Sequence, residues 1–115
     1  MQEFLLVFRR NAVTPEPVPS PEQLQSTMKA WQDWMGNIAA QNKLVSSGNR
    51  LGSDGKVLKK GNVVTNGPYV ETKEAIGGYM LLRAESLDEA AELSRSCPIF
   101  AMEGSLEIRS LIPME

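Results

Sequence analysis

Two short stretches of the sequence are almost wholly apolar, and they constrain the fold more than any other feature. Residues 4–8 read Phe-Leu-Leu-Val-Phe, and residues 79–84 read Tyr-Met-Leu-Leu-Arg-Ala. Neighbouring side chains of a strand point to opposite faces, so each stretch presents apolar groups on both faces. The sequence therefore predicts two strands that must be covered on both sides of their sheet.

A helix signal follows a proline-rich loop. Ser20 is placed to cap the helix, Pro21 to begin it, and Gln23 to complete a capping box. We expect the helix to run to about Gln41 and to end near Asn42, a residue type that tolerates the left-handed conformation of a helix end.

Apolar residues recur along this helix at spacings of three and four, which predicts one buried stripe. Its members are Leu24, Met28, Trp31, Met35 and Ile38. Trp34 lies one step off the stripe, and we expect it at an edge or an interface.

The segment 46–67 is rich in turn residues and contains two strand-like pieces, 56–59 and 63–65. Their spacing predicts a small hairpin that turns at residues 60–61. After the second apolar strand, Ser86 and Glu89 have the spacing of another capping box, which predicts a short helix through Ser96.

Pro98 is expected to stop that helix. The sequence then alternates apolar and polar residues, which predicts a last strand. Its inner face would carry Leu106, Ile108 and Ile112, and its outer face Glu107 and Arg109.

This order of elements predicts an α+β fold, a ferredoxin-like βαββαβ sandwich with an extra hairpin, in a single domain over 1–115. Two helices cover only one face of a four-stranded sheet. Because the strands are apolar on both faces, we expect a symmetric homodimer that buries the second face. The alternative is that the segment 43–67 folds over that face.

Composition excludes several classes of function. The chain has no histidine and one cysteine, so it lacks a Ser–His–Asp triad, a histidine-ligated zinc and an internal disulfide. With 12 basic and 14 acidic residues, it has no basic stripe for nucleic acid. No apolar run approaches the roughly 18 residues of a membrane span. We expect a cytoplasmic protein with no cofactor, no nucleic-acid partner and no membrane partner.

Residues 65–79 read Thr-Asn-Gly-Pro-Tyr-Val-Glu-Thr-Lys-Glu-Ala-Ile-Gly-Gly-Tyr. This stretch resembles the signature of the YCII-related family, and most closely the branch named for its D-G-P-F motif. Residues 86–90 and 106–111 are similar to the same family. The resemblance implies a dimeric α+β barrel of ferredoxin-like subunits. It also implies an association of this branch with extracytoplasmic-function sigma factors.

Two departures from the family pattern matter. The aspartate of the motif is Asn66 here, and its phenylalanine is Tyr69. The wider family is credited with a His–Asp pair at its active site. A chain without histidine cannot use that mechanism.

Residues 66–68 form a turn signal, and the residues after it present polar groups. In an extended chain Tyr69, Glu71 and Lys73 share one side. We therefore predict a small-molecule pocket between the sheet and the 66–74 loop, with help from Arg9 or Arg83. The predicted ligand-binding residues are Asn66, Tyr69, Glu71, Lys73, Glu74 and Arg9. The alternative is that Glu71 and Lys73 form a surface ion pair and the turn residues only shape the loop.

No catalytic or metal-binding residue is assigned. Cys97 is expected to be a buried structural residue, since the end of a helix disfavours a thiolate. Three hypotheses follow for the function. The first is a homodimeric binding or regulatory module that holds a small ligand or a sigma factor. The second is a cofactor-independent enzyme of the dimeric α+β barrel type that uses Tyr69, Glu71 and Lys73. The third is a purely structural interaction protein.

Overall fold

The computed structural model describes residues 1–11, 19–67 and 74–114. These residues form six strands, two α-helices and one 3₁₀ helix. In chain order they are β1 (Gln2–Asn11), α1 (Pro21–Ala40), β2 (Leu44–Arg50), β3 (Gly55–Lys59), β4 (Val63–Gly67), β5 (Glu74–Ala84), α2 (Leu87–Ser94), the 3₁₀ helix (Pro98–Met102) and β6 (Ser105–Ser110).

Four of the strands form one sheet in the order β2-β5-β1-β6. Every neighbouring pair is antiparallel, and β1 lies inside the sheet between β5 and β6. The remaining strands, β3 and β4, form the predicted hairpin as a separate two-stranded sheet. With two helices added, this is the predicted α+β, ferredoxin-like arrangement.

One face of the four-stranded sheet forms the core with the helices. Phe4, Leu6, Met80 and Leu82 are fully buried there. Leu6 lies opposite Met80 on one side and opposite Ile108 on the other, so the two apolar strands meet in register. These side chains are the even-numbered members of the two apolar stretches, as strand alternation requires.

The helix α1 begins and ends where its sequence predicts. The Ser20 hydroxyl accepts a hydrogen bond from the Gln23 backbone N–H, and the Gln23 side chain accepts one from the Ser20 N–H. Asn42 follows the helix with a φ of 60°. The capping box satisfies two backbone donors that the first turn of a helix leaves without partners.

The burial of α1 differs from the predicted stripe. Trp31, Met35 and Ile38 pack on the core, but Leu24 and Met28 are about half exposed in the first half of the helix. The expectation for Trp34 is wrong, because its side chain is only 6 % exposed. Trp34 also donates a hydrogen bond from Nε1 to the Leu93 carbonyl at 3.0 Å, which ties α1 to α2.

The strand β2 was not predicted, since its Ser-Ser-Gly-Asn sequence is typical of a turn. It forms the edge of the sheet beside β5, with two irregularities in its register. Gly48 adopts a φ of 66°, and a Cβ there would overlap the carbonyl group of Tyr79. Glycine therefore lets the edge strand approach β5 closely.

The helix α2 ends at Ser94, two residues before the predicted end. Its cap is only half of a capping box. The Ser86 hydroxyl accepts from the Glu89 N–H, but the Glu89 carboxylate accepts from the Glu85 N–H and pairs with Lys43 at 2.9 Å. Lys43 is the main reason that the pKa of Glu89 lies below its ordinary value.

The last predicted strand is confirmed as β6, although Ile112 lies beyond its end and is 87 % exposed. Leu106 and Ile108 pack against the core. Within the three described ranges, no helix is long and apolar enough to cross a membrane.

The chain has a flat shape with a large surface. Its extents are 47 × 45 × 19 Å, and its radius of gyration is 15.9 Å, whereas a compact chain of this length has about 13 Å. The accessible surface is 8703 Å², whereas a compact monomer of this mass exposes about 6,200 Å². The thickness of 19 Å leaves room for one sheet and one layer of helices.

Candidate functional site

The side of the four-stranded sheet that faces away from the helices carries an apolar centre. Leu5 and Val7 of β1 lie opposite Leu81 and Tyr79 of β5, respectively. All four side chains are only partly buried. We call these four residues the open face. No described element forms a second layer over it, because the helices lie on the other side and the hairpin keeps its own apolar side chains exposed.

A charged group borders the open face along β6. Glu107 lies opposite Val7, and Arg109 lies opposite Leu5. The Glu107 carboxylate accepts hydrogen bonds from Arg9 at 2.9 Å and from Arg109 at 3.2 Å. These two guanidinium groups, Arg9 first, hold the pKa of Glu107 below its ordinary value.

The opposite border of the open face carries a polar pair. Asn49 of β2 lies opposite Tyr79, and its side-chain N–H₂ group donates to the Tyr79 hydroxyl at 3.3 Å. The amphipathic tyrosine thus turns its ring toward the apolar centre and its hydroxyl toward the sheet edge. The open face has the composition of an interface, an apolar centre with a polar and charged rim.

A second feature lies at the base of the β3–β4 hairpin. A shallow groove of about 420 Å³ is lined there by Asp54, Gly55, Lys56, Asn66 and Gly67. Among the predicted ligand-binding residues that the structure describes, Asn66 lines this groove. Its neighbours Lys56 and Asp54 supply one charge of each sign.

The other predicted site residues have different placements. Tyr69, Glu71 and Lys73 lie outside the described residues. The backbone of Glu74 begins β5 opposite Asn11. Arg9 lies on the open-face side of β1 and is paired with Glu107, a partner 98 residues away that sequence reasoning missed.

Arg83, the alternative to Arg9 in the predicted pocket, contacts Asn42 after α1. Its guanidinium group donates to the carbonyl and to the side-chain oxygen of Asn42, both at 2.8 Å. Arg83 therefore fixes the turn after α1. Cys97 is buried as predicted, and burial raises the pKa of its thiol to about 11. Such a thiol is protonated at neutral pH and is a poor nucleophile.

The described residues contain no group of three or more aspartate, glutamate or cysteine side chains placed to hold a metal ion. The polar groups beside the open face and the hairpin include the Arg9–Glu107–Arg109 group, the Asn49–Tyr79 pair and the groove beside Asn66. These groups can bind and orient a ligand or a second protein surface through hydrogen bonds and charge.

The fold and the open face together define a class of protein, the α+β chains whose main antiparallel sheet is covered by helices on one side. Within that class, the model of the YCII-related domain matches residues 4–115. The chain therefore belongs to the YCII-related family. A search of the curated proteins found none that matches it.

Proposed function

We propose that the protein is a homodimeric module that binds a small ligand. The open face is the observation that carries this proposal. An apolar sheet face with no second layer is unfavourable in water, and a second copy of the same face would remove it from solvent. Leu5, Val7, Tyr79 and Leu81 keep part of their surface exposed in the single chain, and this is the apolar surface that a second copy would cover.

The rim of the open face suits a two-fold contact. In a symmetric dimer each surface meets its own copy, so every charged group needs a partner within its own rim or across the axis. Glu107 lies between Arg9 and Arg109, and this arrangement leaves one positive charge per chain beyond the neutral pair. The second arginine is available to an acidic group of the other copy or to an anionic ligand.

The ligand-binding part of the proposal rests on the groove beside Asn66. The groove is shallow, and Asp54, Lys56 and Asn66 supply charged and polar groups along it. Residues 68–73 follow the groove directly in the chain and carry the polar side chains Tyr69, Glu71 and Lys73. We assign them to the ligand together with Asn66.

Leu81→Arg tests the dimer. Leu81 lies in the centre of the open face, and an arginine buried there against its own copy would lack a partner. We expect wild type to sediment as a dimer at micromolar concentration and Leu81→Arg as a monomer. The matched control is Leu87→Arg, at an exposed leucine of α2 on the helix side, which should remain a dimer. A monomeric wild type, or a dimeric Leu81→Arg, would contradict the proposal.

A metabolite screen by thermal shift tests the ligand. We expect at least one compound to raise the melting temperature of wild type, with a smaller rise in Asn66→Ala and in Lys73→Ala. Lys29→Ala is the control, because Lys29 is an exposed helix residue paired with Asp33. If no compound shifts wild type, the ligand proposal fails. Turnover of a bound compound would favour the alternative, a cofactor-independent enzyme that uses Tyr69, Glu71 and Lys73.

A sigma factor is a second candidate partner, supported by the resemblance of residues 65–79 to the branch associated with extracytoplasmic-function sigma factors. A pull-down at low salt, with the purified sigma factor as bait, tests this regulatory version. Retention of wild type supports it, and failure to retain it under these conditions contradicts it.

A further inference from the structure

The β3–β4 hairpin, residues 55–67, is an insertion between two strands of the main sheet, and we call it the arm. Opposite residues of a hairpin share a face. Leu58 lies opposite Val64 on one face of the arm, and Lys59 lies opposite Val63 on the other. Each face therefore carries apolar side chains.

These apolar side chains are exposed to solvent on both faces of the arm. Leu58 is 74 % exposed, Val64 is 54 % exposed and Val63 is 46 % exposed. An isolated two-stranded hairpin is marginally stable in water, and its edges and apolar groups invite association. A short segment that faces solvent on both sides does not need three branched apolar residues, so we expect these side chains to contact another surface.

The charge of the arm differs from that of the rest of the chain. The arm carries Lys56, Lys59 and Lys60 and no acidic residue. The whole chain has 12 basic and 14 acidic residues, so the remainder has nine basic residues against the same 14 acidic ones. A basic arm and an acidic body attract each other, within one chain or between two.

Within one chain this attraction has not brought the arm onto the body, since its apolar side chains remain exposed. The arm leaves the main sheet after β2 and returns to it before β5, the two strands that carry Asn49 and Tyr79 at the border of the open face. A surface that covers the open face therefore lies next to the base of the arm. In the proposed dimer, that surface is a second copy of the chain.

We propose that the arm packs on the body of the second copy, so that each chain of the dimer holds its partner with Leu58 and Val64 while Lys56, on the same face of the arm, lies against the partner's acidic surface. This inference rests on the proposed homodimer and adds a second contact to the open face.

Leu58→Asp tests the arm, with Leu87→Asp as the matched control at another exposed leucine. The aspartate would be buried against an acidic body, so we expect the dimer dissociation constant from sedimentation velocity to rise more than tenfold. The control should change it less than threefold. Circular dichroism of both variants checks that the main sheet remains folded.

Trypsin gives a second measurement on the wild-type protein, which does not depend on a variant that folds. Lys59 and Lys60 lie at the tip of the arm. Above the dimer dissociation constant, we expect cleavage after these lysines to slow at least tenfold compared with the monomer, as followed by mass spectrometry.

The outcomes separate the two proposals. If Leu81→Arg yields a monomer but Leu58→Asp leaves the dimer unchanged, or if trypsin cuts the arm equally fast in both states, the open-face dimer stands and the arm contact is overturned. If wild type is a monomer at every concentration, both proposals are overturned. A loss of affinity in Leu58→Asp together with protection from trypsin supports both.

Discussion

Replacing Trp34 by phenylalanine tests how the two helices are held together. The indole N–H of Trp34 donates to the Leu93 carbonyl at 3.0 Å, and its ring contacts Trp31 and Phe8 edge to face, with centroids 5.8 and 6.3 Å away. Trp34→Phe leaves the partly buried Leu93 carbonyl without this donor, which costs about 1–3 kcal/mol. The smaller ring also leaves part of the indole volume empty, which costs about 1 kcal/mol more. We expect a total loss of about 2–4 kcal/mol.

The assay is equilibrium unfolding in urea at one fixed protein concentration, supported by thermal melts. For a domain of this size, a loss of about 3 kcal/mol lowers the melting temperature by roughly 10 °C. Trp31→Phe is the matched control. Trp31 is partly exposed and donates no hydrogen bond to any described residue, so its replacement should cost less than about 1 kcal/mol. Equal losses in the two variants would refute the assignment of Trp34 as the link between the helices.

Two further predictions concern the edge strand and the charged rim. Gly48→Ala should destabilise the protein by several kcal/mol in denaturant unfolding, because the added Cβ would overlap the Tyr79 carbonyl. Gly61→Ala is the control. Gly61 also has a positive φ but lies in open space, so this variant should cost only about 1–2 kcal/mol. Glu107 has a folded pKa below its unfolded value, so its contribution to stability is present above the unfolded pKa and is lost as the pH falls through the folded pKa. Wild type should therefore lose more stability than Glu107→Gln between neutral and acidic pH, in urea titrations at each pH. An unchanged pH dependence, or equal effects of the two alanines, would contradict these predictions.

The elements that the sequence predicts correctly depend on neighbours within a few residues. The capping box of α1 joins Ser20 to Gln23, and the left-handed residue that ends the helix is Asn42, a residue type that tolerates this conformation. The hairpin also follows from local turn signals and lies where the sequence places it. Alternation within β1 and β5 is local too, and it correctly separates the core face from the open face.

The missed features depend on contacts between distant residues. The strand β2 has a turn-like sequence, and pairing with β5 makes it a strand. The side chain of Trp34 is buried because Leu93 lies 59 residues further along the chain and accepts its hydrogen bond. Arg9 was expected to serve a ligand pocket, but the register of β1 and β6 places Glu107 beside it.

The candidate site also combines features that the sequence predicts with features that depend on contacts between distant residues. The sequence alone points to the polar segment 66–74 and to a sheet that is apolar on both faces. Only the tertiary structure reveals the charged rim on Glu107 and the exposure of Leu58 on the arm. Periodicity and capping are properties of a few consecutive residues, so the amino-acid sequence by itself determined the helices, the two apolar strands and the hairpin. Burial and charge pairing require that distant segments meet, so only the tertiary structure decided which apolar side chains stay in water and which arginines have partners.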